Sequence, residues 1–165
     1  WLEQAGLVNK VLLSKAPKLP LKAYDDLGTF KLYTLDLGVL RKLSELDASI
    51  LLLPTPAYTE YKGALAENYI LQSLTAQFQM PFRYWTSGNK AEVDFLLQYI
   101  NQIYPIEVKA DQNIQGKSLI QYEKLFQPAC RIRYSMLNLK QDGNLLNIPL
   151  FLADKTRELL GVINV

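Results

Sequence analysis

Two strand-like stretches, EVDFLLQY at 92–99 and QIYPIEVKA at 102–110, are separated by only two residues. Two apolar runs joined by so short a connection predict a β-hairpin. A turn centred on the two linking residues places Asp94 directly opposite Glu107. Because like charges in opposed positions repel each other, this pairing favours a cation between the two carboxylates.

The second strand carries Glu107 and Lys109 two positions apart, so both side chains lie on one face while the apolar residues between and beside them lie on the other. One interpretation is a surface ion pair of Glu107 with Lys109 or Lys90, which contributes little stability. The other is a functional site in which the lysine lies beside bound carboxylates. Both interpretations stay open at this point.

A helix is predicted from about Glu60 to Phe78, where Pro81 stops it. One face of this helix is formed by positions 63, 64, 67, 70, 71, 74 and 78, and Glu67 is its only charged residue. A buried carboxylate is costly unless it is paired, hydrogen-bonded or bound to metal. Alternatively, Glu67 leans out to solvent near the first turns, where the helix dipole favours it.

The chain contains no histidine. This excludes catalytic triads with a histidine base and nearly every zinc hydrolase site. Carboxylates without histidine match a hard, oxygen-ligated cation such as Mg²⁺ or Mn²⁺. We therefore predict that Asp94, Glu107 and Glu67 bind such an ion. We expect Lys109 to lower the pKa of a metal-bound water or to stabilise charge on a phosphoryl group.

The chain of 165 residues is long enough for one domain with an accessory segment. The two prolines of LPTPAYTE at 53–60 predict a linker. The elements expected before it are strands at 8–15 and 18–24, a turn at DDLG (25–28), and a strand that starts at Phe30 and gives way to a helix. The elements expected after it follow the order α-β-β-β-α-β, with the last helix at 117–127 and the last strand at 130–137.

The chain contains no P-loop sequence, so we expect no ATP binding of that kind. Its longest apolar run is far shorter than the roughly 20 residues that span a bilayer, so we expect no membrane association. The single Cys130 cannot form an internal disulfide, which favours a cytoplasmic location, and its place in a predicted strand favours core packing.

The set Glu67, Asp94 and Glu107-Val108-Lys109, in this element order, resembles the PD-(D/E)xK restriction-endonuclease-like fold, which includes Holliday-junction resolvases. The stretches KLYTLDLGVL, GALAENYILQSL, YWTSGNKAEVDFLL and YPIEVKA are similar to an uncharacterised domain at the C-terminus of prokaryotic AAA-type ATPases. This resemblance covers nearly the whole chain. It implies an α/β restriction-endonuclease-like core at 60–165, a mixed sheet flanked by helices, after an N-terminal α+β accessory segment at 1–55.

The resemblance also implies that the chain follows a winged helix and its own N-terminal ATPase domain, and that ATP binds only in that missing part. The implied function is a metal-dependent nuclease that hydrolyses DNA, and a homo-oligomer is an open possibility. The alternative is a DNA- or partner-binding regulatory module that cuts nothing. The weak net charge of +2 favours this alternative, because DNA-cutting domains usually carry a stronger positive field. Val93 stands where nuclease relatives have proline.

Four further residues are candidates for nucleic-acid contacts. Gln121 and Tyr122 lie on the helix after the E-x-K strand, where nuclease relatives use a glutamine or tyrosine, although an amphipathic helix explains them as well. Arg131 and Arg133 share one face of the last strand and are expected to meet phosphates. Charges that block aggregation of an edge strand are the alternative.

Overall fold

The computed structural model describes residues 1–45, 56–88, 90–110 and 116–163, and of residues 56–60 and 163 the backbone only. These residues form four α-helices and an eight-stranded mixed sheet. The helices are α1 (Leu37–Leu43), α2 (Pro56–Phe78), α3 (Lys117–Phe126) and α4 (Thr156–Ile163). The strands are β1 (Val8–Ser14), β2 (Asp25–Thr34), β3 (Arg83–Thr86), β4 (Glu92–Tyr99), β5 (Gln102–Val108), β6 (Arg131–Ser135), β7 (Lys140–Asp142) and β8 (Leu145–Pro149). Short 3₁₀ helices cover Leu21–Tyr24 and Leu150–Lys155.

The strand order is β2-β1-β3-β4-β5-β6-β8-β7. The pairs β1/β3, β5/β6 and β6/β8 are parallel, and the other neighbours are antiparallel. Because β1 lies between β2 and β3, strands from the predicted accessory segment and from the predicted core share one sheet. The fold class is therefore α/β, as predicted.

The predicted hairpin of β4 and β5 is confirmed. Phe95 lies opposite Ile106 and Tyr99 lies opposite Gln102, which is the register expected from a turn centred on residues 100–101. The turn residues have φ values of 44° and 56°, and the common two-residue hairpin turn needs positive φ at both positions. The hairpin thus fixes which residues of the two strands are neighbours.

Helices cover both faces of the sheet. On one face α2 and α4 pack over the larger core, in which Ile70, Leu74, Phe95 and Ile106 are fully buried. On the other face α3 covers a smaller cluster whose members include Leu96. None of the described helices is both long and apolar enough to cross a membrane. The free Cys130 is buried, as the sequence predicted.

Helix α2 ends at Phe78, as predicted, but begins at Pro56. Proline fits the first helical position, because its missing N–H has no helical partner there. Of the predicted linker at 53–60, residues 53–55 lie outside the described residues, and residues 56–60 belong to the helix. Pro56 therefore marks the first residue of α2, and the second half of the predicted linker is helical.

Two predictions for the N-terminal segment are wrong. The stretch 18–24 forms a 3₁₀ helix at its end rather than a strand, because Pro20 cannot donate to a ladder. The turn predicted at 25–28 is instead part of an irregular stretch of β2. Consecutive residues of β1, Leu12 and Leu13, pair there with Phe30 and Asp26 of β2. Turn chemistry is still present there, since the carboxylate of Asp26 accepts a hydrogen bond from the Gly28 amide at 3.0 Å.

Candidate functional site

Strand β4 contains a bulge at the first candidate carboxylate. Trp85 of β3 pairs with Val93, whereas Arg83 pairs with Leu96, so β4 carries one residue more than β3 over this span. Asp94 lies within the irregular stretch. Bulges re-aim side chains and are common beside active sites. Because of this bulge, the side chain of Asp94 does not follow the regular alternation of side chains between the two faces of the sheet.

The carboxylate of Asp94 is half-buried and accepts a hydrogen bond from the Val108 amide at 2.7 Å. Burial, followed by the negative charge of Glu67, raises the pKa of Asp94 to about 7. The hydrogen bond from Val108 and the charge of Lys31 act in the opposite direction, and Glu107 adds a smaller upward effect. Asp94 is thus placed among two other carboxylates and one lysine.

Glu107 is 2% exposed. Its Oε1 lies 3.1 Å from the ammonium of Lys109, whose side chain is 34% exposed. Its Oε2 is buried and has no hydrogen-bond partner among the described residues. Glu107 also lies opposite Arg133 in the parallel ladder with β6. Glu107 and Lys109 form an ion pair, but the pair is not a surface one. The Glu107 carboxylate is buried, and its Oε2 has no hydrogen-bond partner among the described residues.

Glu67 of α2 is half-buried, and its Oε2 accepts a hydrogen bond from the Tyr33 hydroxyl at 3.0 Å. Burial raises the pKa of Tyr33, and the charge of Glu67 and the hydrogen bond to it raise that pKa further. The hydroxyl therefore remains a donor. Glu67 does not lean out to solvent as the alternative interpretation had it, since its carboxylate is bound by a side chain of β2.

Lys31 of β2 forms an ion pair with Glu92 of β4. Its ammonium also lies 5.0 Å from the ring centroid of Tyr84. Burial lowers the pKa of Lys31, but the hydrogen bond and charge of Glu92, followed by the charges of Asp94 and Glu67, raise it above its ordinary value. The positive charge of Lys31 therefore acts on Asp94 and Glu67, two of the three carboxylates that the sequence predicted as metal ligands.

Sequence reasoning missed Lys31 and Tyr33 as members of this site. The alternation of β2 does place both on one face of the strand, which is a weak signal because any strand has such pairs. What brings them to the site is the position of β2 at the sheet edge beside α2. That position depends on the long-range pairing of β1 with β3.

Among the described residues, no three side chains of His, Cys, Asp or Glu are grouped so that they could hold one metal ion. Glu67 lies on α2 and accepts a hydrogen bond from Tyr33 of β2, whereas Asp94 and Glu107 lie on the adjacent strands β4 and β5. Mg²⁺ usually keeps several waters and takes only one or two protein carboxylates. The two strand carboxylates, with the unpartnered Oε2 of Glu107, fit such an ion without direct ligation by Glu67.

The two candidate arginines differ in their contacts. The guanidinium of Arg131 donates to Asn144 Oδ1 at 2.7 Å and lies 3.0 Å from a carboxylate oxygen of Glu123. Arg133 donates from Nε to Asn147 Oδ1 at 2.9 Å and borders a cavity of about 410 Å³. Burial lowers the pKa of Arg133, and Glu107 partly offsets this. Because Arg133 pairs with Glu107 in the ladder of β5 and β6, it lies beside the carboxylate site.

The candidates on α3 have different surroundings. Tyr122 is 1% exposed, and its ring makes an edge contact with Trp85 at 5.3 Å between centroids. Gln121 is half-buried. Packing therefore accounts for both Tyr122 and Trp85. A direct role for Gln121 or Tyr122 in nucleic-acid contact stays a prediction.

Comparison with known protein families gives one match. Residues 62–151 match the model of DUF4143, a domain of unknown function, and this span covers more than half of the 165 residues. It includes Glu67, Asp94, Glu107 and Lys109, whereas Lys31 and Tyr33 lie before it. Searches among curated proteins and among solved structures returned no match. The chain therefore belongs to the DUF4143 family of domains of unknown function.

Proposed function

We propose that this chain is a metal-dependent nuclease domain of the PD-(D/E)xK restriction-endonuclease-like type, and that it hydrolyses DNA phosphodiester bonds as part of an AAA-type ATPase. One observation carries the proposal. Glu107 is buried beside Lys109, and its second oxygen has no partner among the described residues. Leaving a buried carboxylate oxygen unpaired costs free energy, which a ligand at this position would offset.

Asp94 and Glu107 would hold Mg²⁺ or Mn²⁺. A bound ion would supply positive charge that polarises the scissile phosphate and lowers the pKa of a bound water. Asp94 is held in place by the Val108 amide, which lies between the two charged residues of the E-x-K segment. The Lys109 amide donates to the Tyr134 carbonyl of β6 at 2.8 Å. The backbone of Lys109 is therefore fixed, and Glu107 holds its ammonium, which would stabilise charge on the phosphate from that place.

A second candidate function is a regulatory module of the same ATPase that binds DNA or a protein partner without cutting. Two observations favour it. The described residues contain no group of three metal-binding side chains, and the guanidinium of Arg131 is held by internal partners. With a net charge of only +2, the electrostatic attraction to DNA is weak.

A cleavage assay separates the two functions. The 165-residue chain is incubated in Mn²⁺ with branched, single-stranded and linear duplex DNA, and DNA affinity is measured in parallel. We expect Asp94→Ala and Lys109→Ala to abolish cleavage. Lys109→Ala should retain DNA binding, because its charge acts mainly on the transition state.

Matched controls remove similar charges from an exposed ion pair on another part of the chain. Glu158→Ala and Lys155→Ala each disrupt that pair, and both should cleave as the wild type does. Cleavage that survives Asp94→Ala would contradict the proposed site. DNA or partner binding with no cleavage on any substrate would make the regulatory module the better account.

A further inference from the structure

Strand β2 contributes two side chains to the carboxylate site, although it lies outside residues 62–151 that match the family. Tyr33 and Lys31 are two positions apart and share one face of the strand. Each contacts a carboxylate on a different element, since Tyr33 binds Glu67 of α2 and Lys31 binds Glu92 of β4. The site is therefore built from both parts of the chain.

The contact with α2 fixes the helix at Glu67. Next to the bond between Tyr33 and Glu67, the Thr34 amide donates to Asn68 Oδ1 at 2.9 Å, and the Asn68 side chain donates back to the Thr34 carbonyl at 3.3 Å. Asn68 is 2% exposed. Two consecutive residues of β2 thus bind two consecutive residues of α2. The ring of Tyr33 also packs 5.4 Å from that of Phe95, the neighbour of Asp94.

The contact with β4 places a positive charge at the same site. The side chain of Lys31 is 28% exposed, so its ammonium is only partly solvated. Its charge interacts with Asp94 and Glu67 as well as with its partner Glu92. A fixed positive charge near carboxylates lowers their affinity for a second cation, because the two cations repel each other.

We propose that β2 sets the cation affinity of the site through two opposing contacts. Tyr33 is a positioning residue that raises the affinity by holding the negative charge of Glu67 toward the site, where Glu67 attracts the ion through water. Lys31 is a built-in counter-ion that lowers the affinity. The inference rests on the proposed metal site, and it adds that residues outside the family match control how tightly that site binds its ion.

Calorimetric titration of the 165-residue chain with Mn²⁺ tests this proposal. We expect Tyr33→Phe to weaken Mn²⁺ binding about tenfold, the lower end of the roughly 10–100-fold loss that follows removal of an outer-shell group of a metal site. We expect Lys31→Met to tighten binding about three- to tenfold, which corresponds to about 0.7–1.4 kcal/mol. Lys31→Arg keeps the charge and should keep the wild-type affinity.

Two controls match these changes. Tyr61→Phe removes a hydroxyl from α2 that is bound to Ser44, and Lys155→Met removes a lysine from an exposed ion pair with Glu158. Both should bind Mn²⁺ as the wild type does. In a Glu67→Gln background, Tyr33→Phe should cause no further loss, because the bond it removes no longer holds a carboxylate.

The outcomes separate this inference from the proposed function. If the wild type binds Mn²⁺ and the two β2 variants bind it equally, or shift its affinity in the same direction, the role of β2 is wrong while the metal site stands. If the wild type shows no heat of binding and no Mn²⁺-dependent cleavage, both proposals are overturned. Opposite shifts at unchanged melting temperature support the inference, since a general loss of structure would weaken binding in both variants.

Discussion

The carboxylate of Asp94 accepts a hydrogen bond from the backbone amide of Val108 at 2.7 Å. Val108 stands between Glu107 and Lys109, so a side chain of β4 is fastened to the segment of β5 that carries both charged groups. The bulge in β4 turns Asp94 toward that segment. This hydrogen bond therefore fixes the position of the Asp94 carboxylate relative to the segment of β5 that carries Glu107.

The raised pKa of Asp94 predicts how stability depends on pH. Its ordinary pKa is 3.8 and its folded pKa is about 7. Between these values the folded protein keeps a proton that the unfolded chain has released, so the free energy of unfolding should fall as the pH rises through this window. Asp94→Asn should remove this fall. Urea unfolding across the window measures it, with Asp142→Asn as an exposed control. If Asp94→Asn shows the same fall in unfolding free energy with pH as the wild type, another titratable group causes the fall.

Metal binding should stabilise the folded chain. An ion that binds only the native state adds RT ln(1 + [L]/Kd), which is about 1.4 kcal/mol at tenfold excess over Kd. For a chain of this size, we expect a rise of about 3–6 °C in melting temperature with Mn²⁺ or Mg²⁺. Asp94→Asn should lose the rise while its metal-free form stays as stable as the wild type or becomes more stable. Identical melting curves with and without either ion, in both proteins, would contradict the metal site.

The ion pair of Arg83 with Asp25 should be important for stability, because it is buried and joins β3 to β2. Two hydrogen bonds of 2.8 and 2.9 Å link the groups, and their side chains are 6% and 9% exposed. Asp25→Ala leaves the buried guanidinium without a carboxylate and with only the Pro81 carbonyl as a hydrogen-bond partner among the described residues, so we expect a loss of about 3–5 kcal/mol in unfolding free energy. Glu158→Ala breaks an exposed pair and should cost at most about 1 kcal/mol. Chemical denaturation compares the two, and equal small losses would show that the buried pair is dispensable.

Tyr122 should act through packing. Tyr122→Ala removes a buried ring in contact with Trp85, and we expect it to cost about 3–5 kcal/mol. Tyr122→Phe keeps the ring and should change neither the melting temperature nor DNA cleavage appreciably. If Tyr122→Phe abolished cleavage at unchanged stability, the hydroxyl would have a direct role and the packing explanation would be incomplete.

The two arginines of β6 should respond differently to substitution. Because Arg133 borders the cavity of about 410 Å³ next to the carboxylate site, Arg133→Ala should weaken DNA binding and reduce the slope of log K against log salt by about 0.9, the value for one lost phosphate contact. Arg131→Ala should leave the slope unchanged, because Asn144 and Glu123 already hold that guanidinium. Fluorescence anisotropy at several salt concentrations measures both. Equal slopes for both variants and the wild type would exclude Arg133 as a phosphate contact.

Several features of this protein follow from its sequence. The hairpin of β4 and β5, with its register and turn, was predictable because a two-residue connection leaves few ways to pair two strands. The end of α2 and the bounds of α3 were predictable from apolar periodicity and nearby prolines. The same local rules failed at 18–28, where one proline and several turn residues alternate with apolar residues. There a 3₁₀ helix and a bulge replaced the predicted strand and turn.

Only the tertiary structure decided what surrounds the carboxylates. The burial of Glu107 depends on packing that its neighbours in the chain do not reveal. The contacts of Tyr33 with Glu67 and of Lys31 with Glu92 join residues 34 and 61 positions apart. They exist because β1 pairs with β3 and carries β2 to the edge of the sheet beside α2. The sequence alone determined which residues carry charge and which local elements they occupy. Long-range strand pairing decided which of those charges meet, because no local periodicity encodes which distant strands become neighbours.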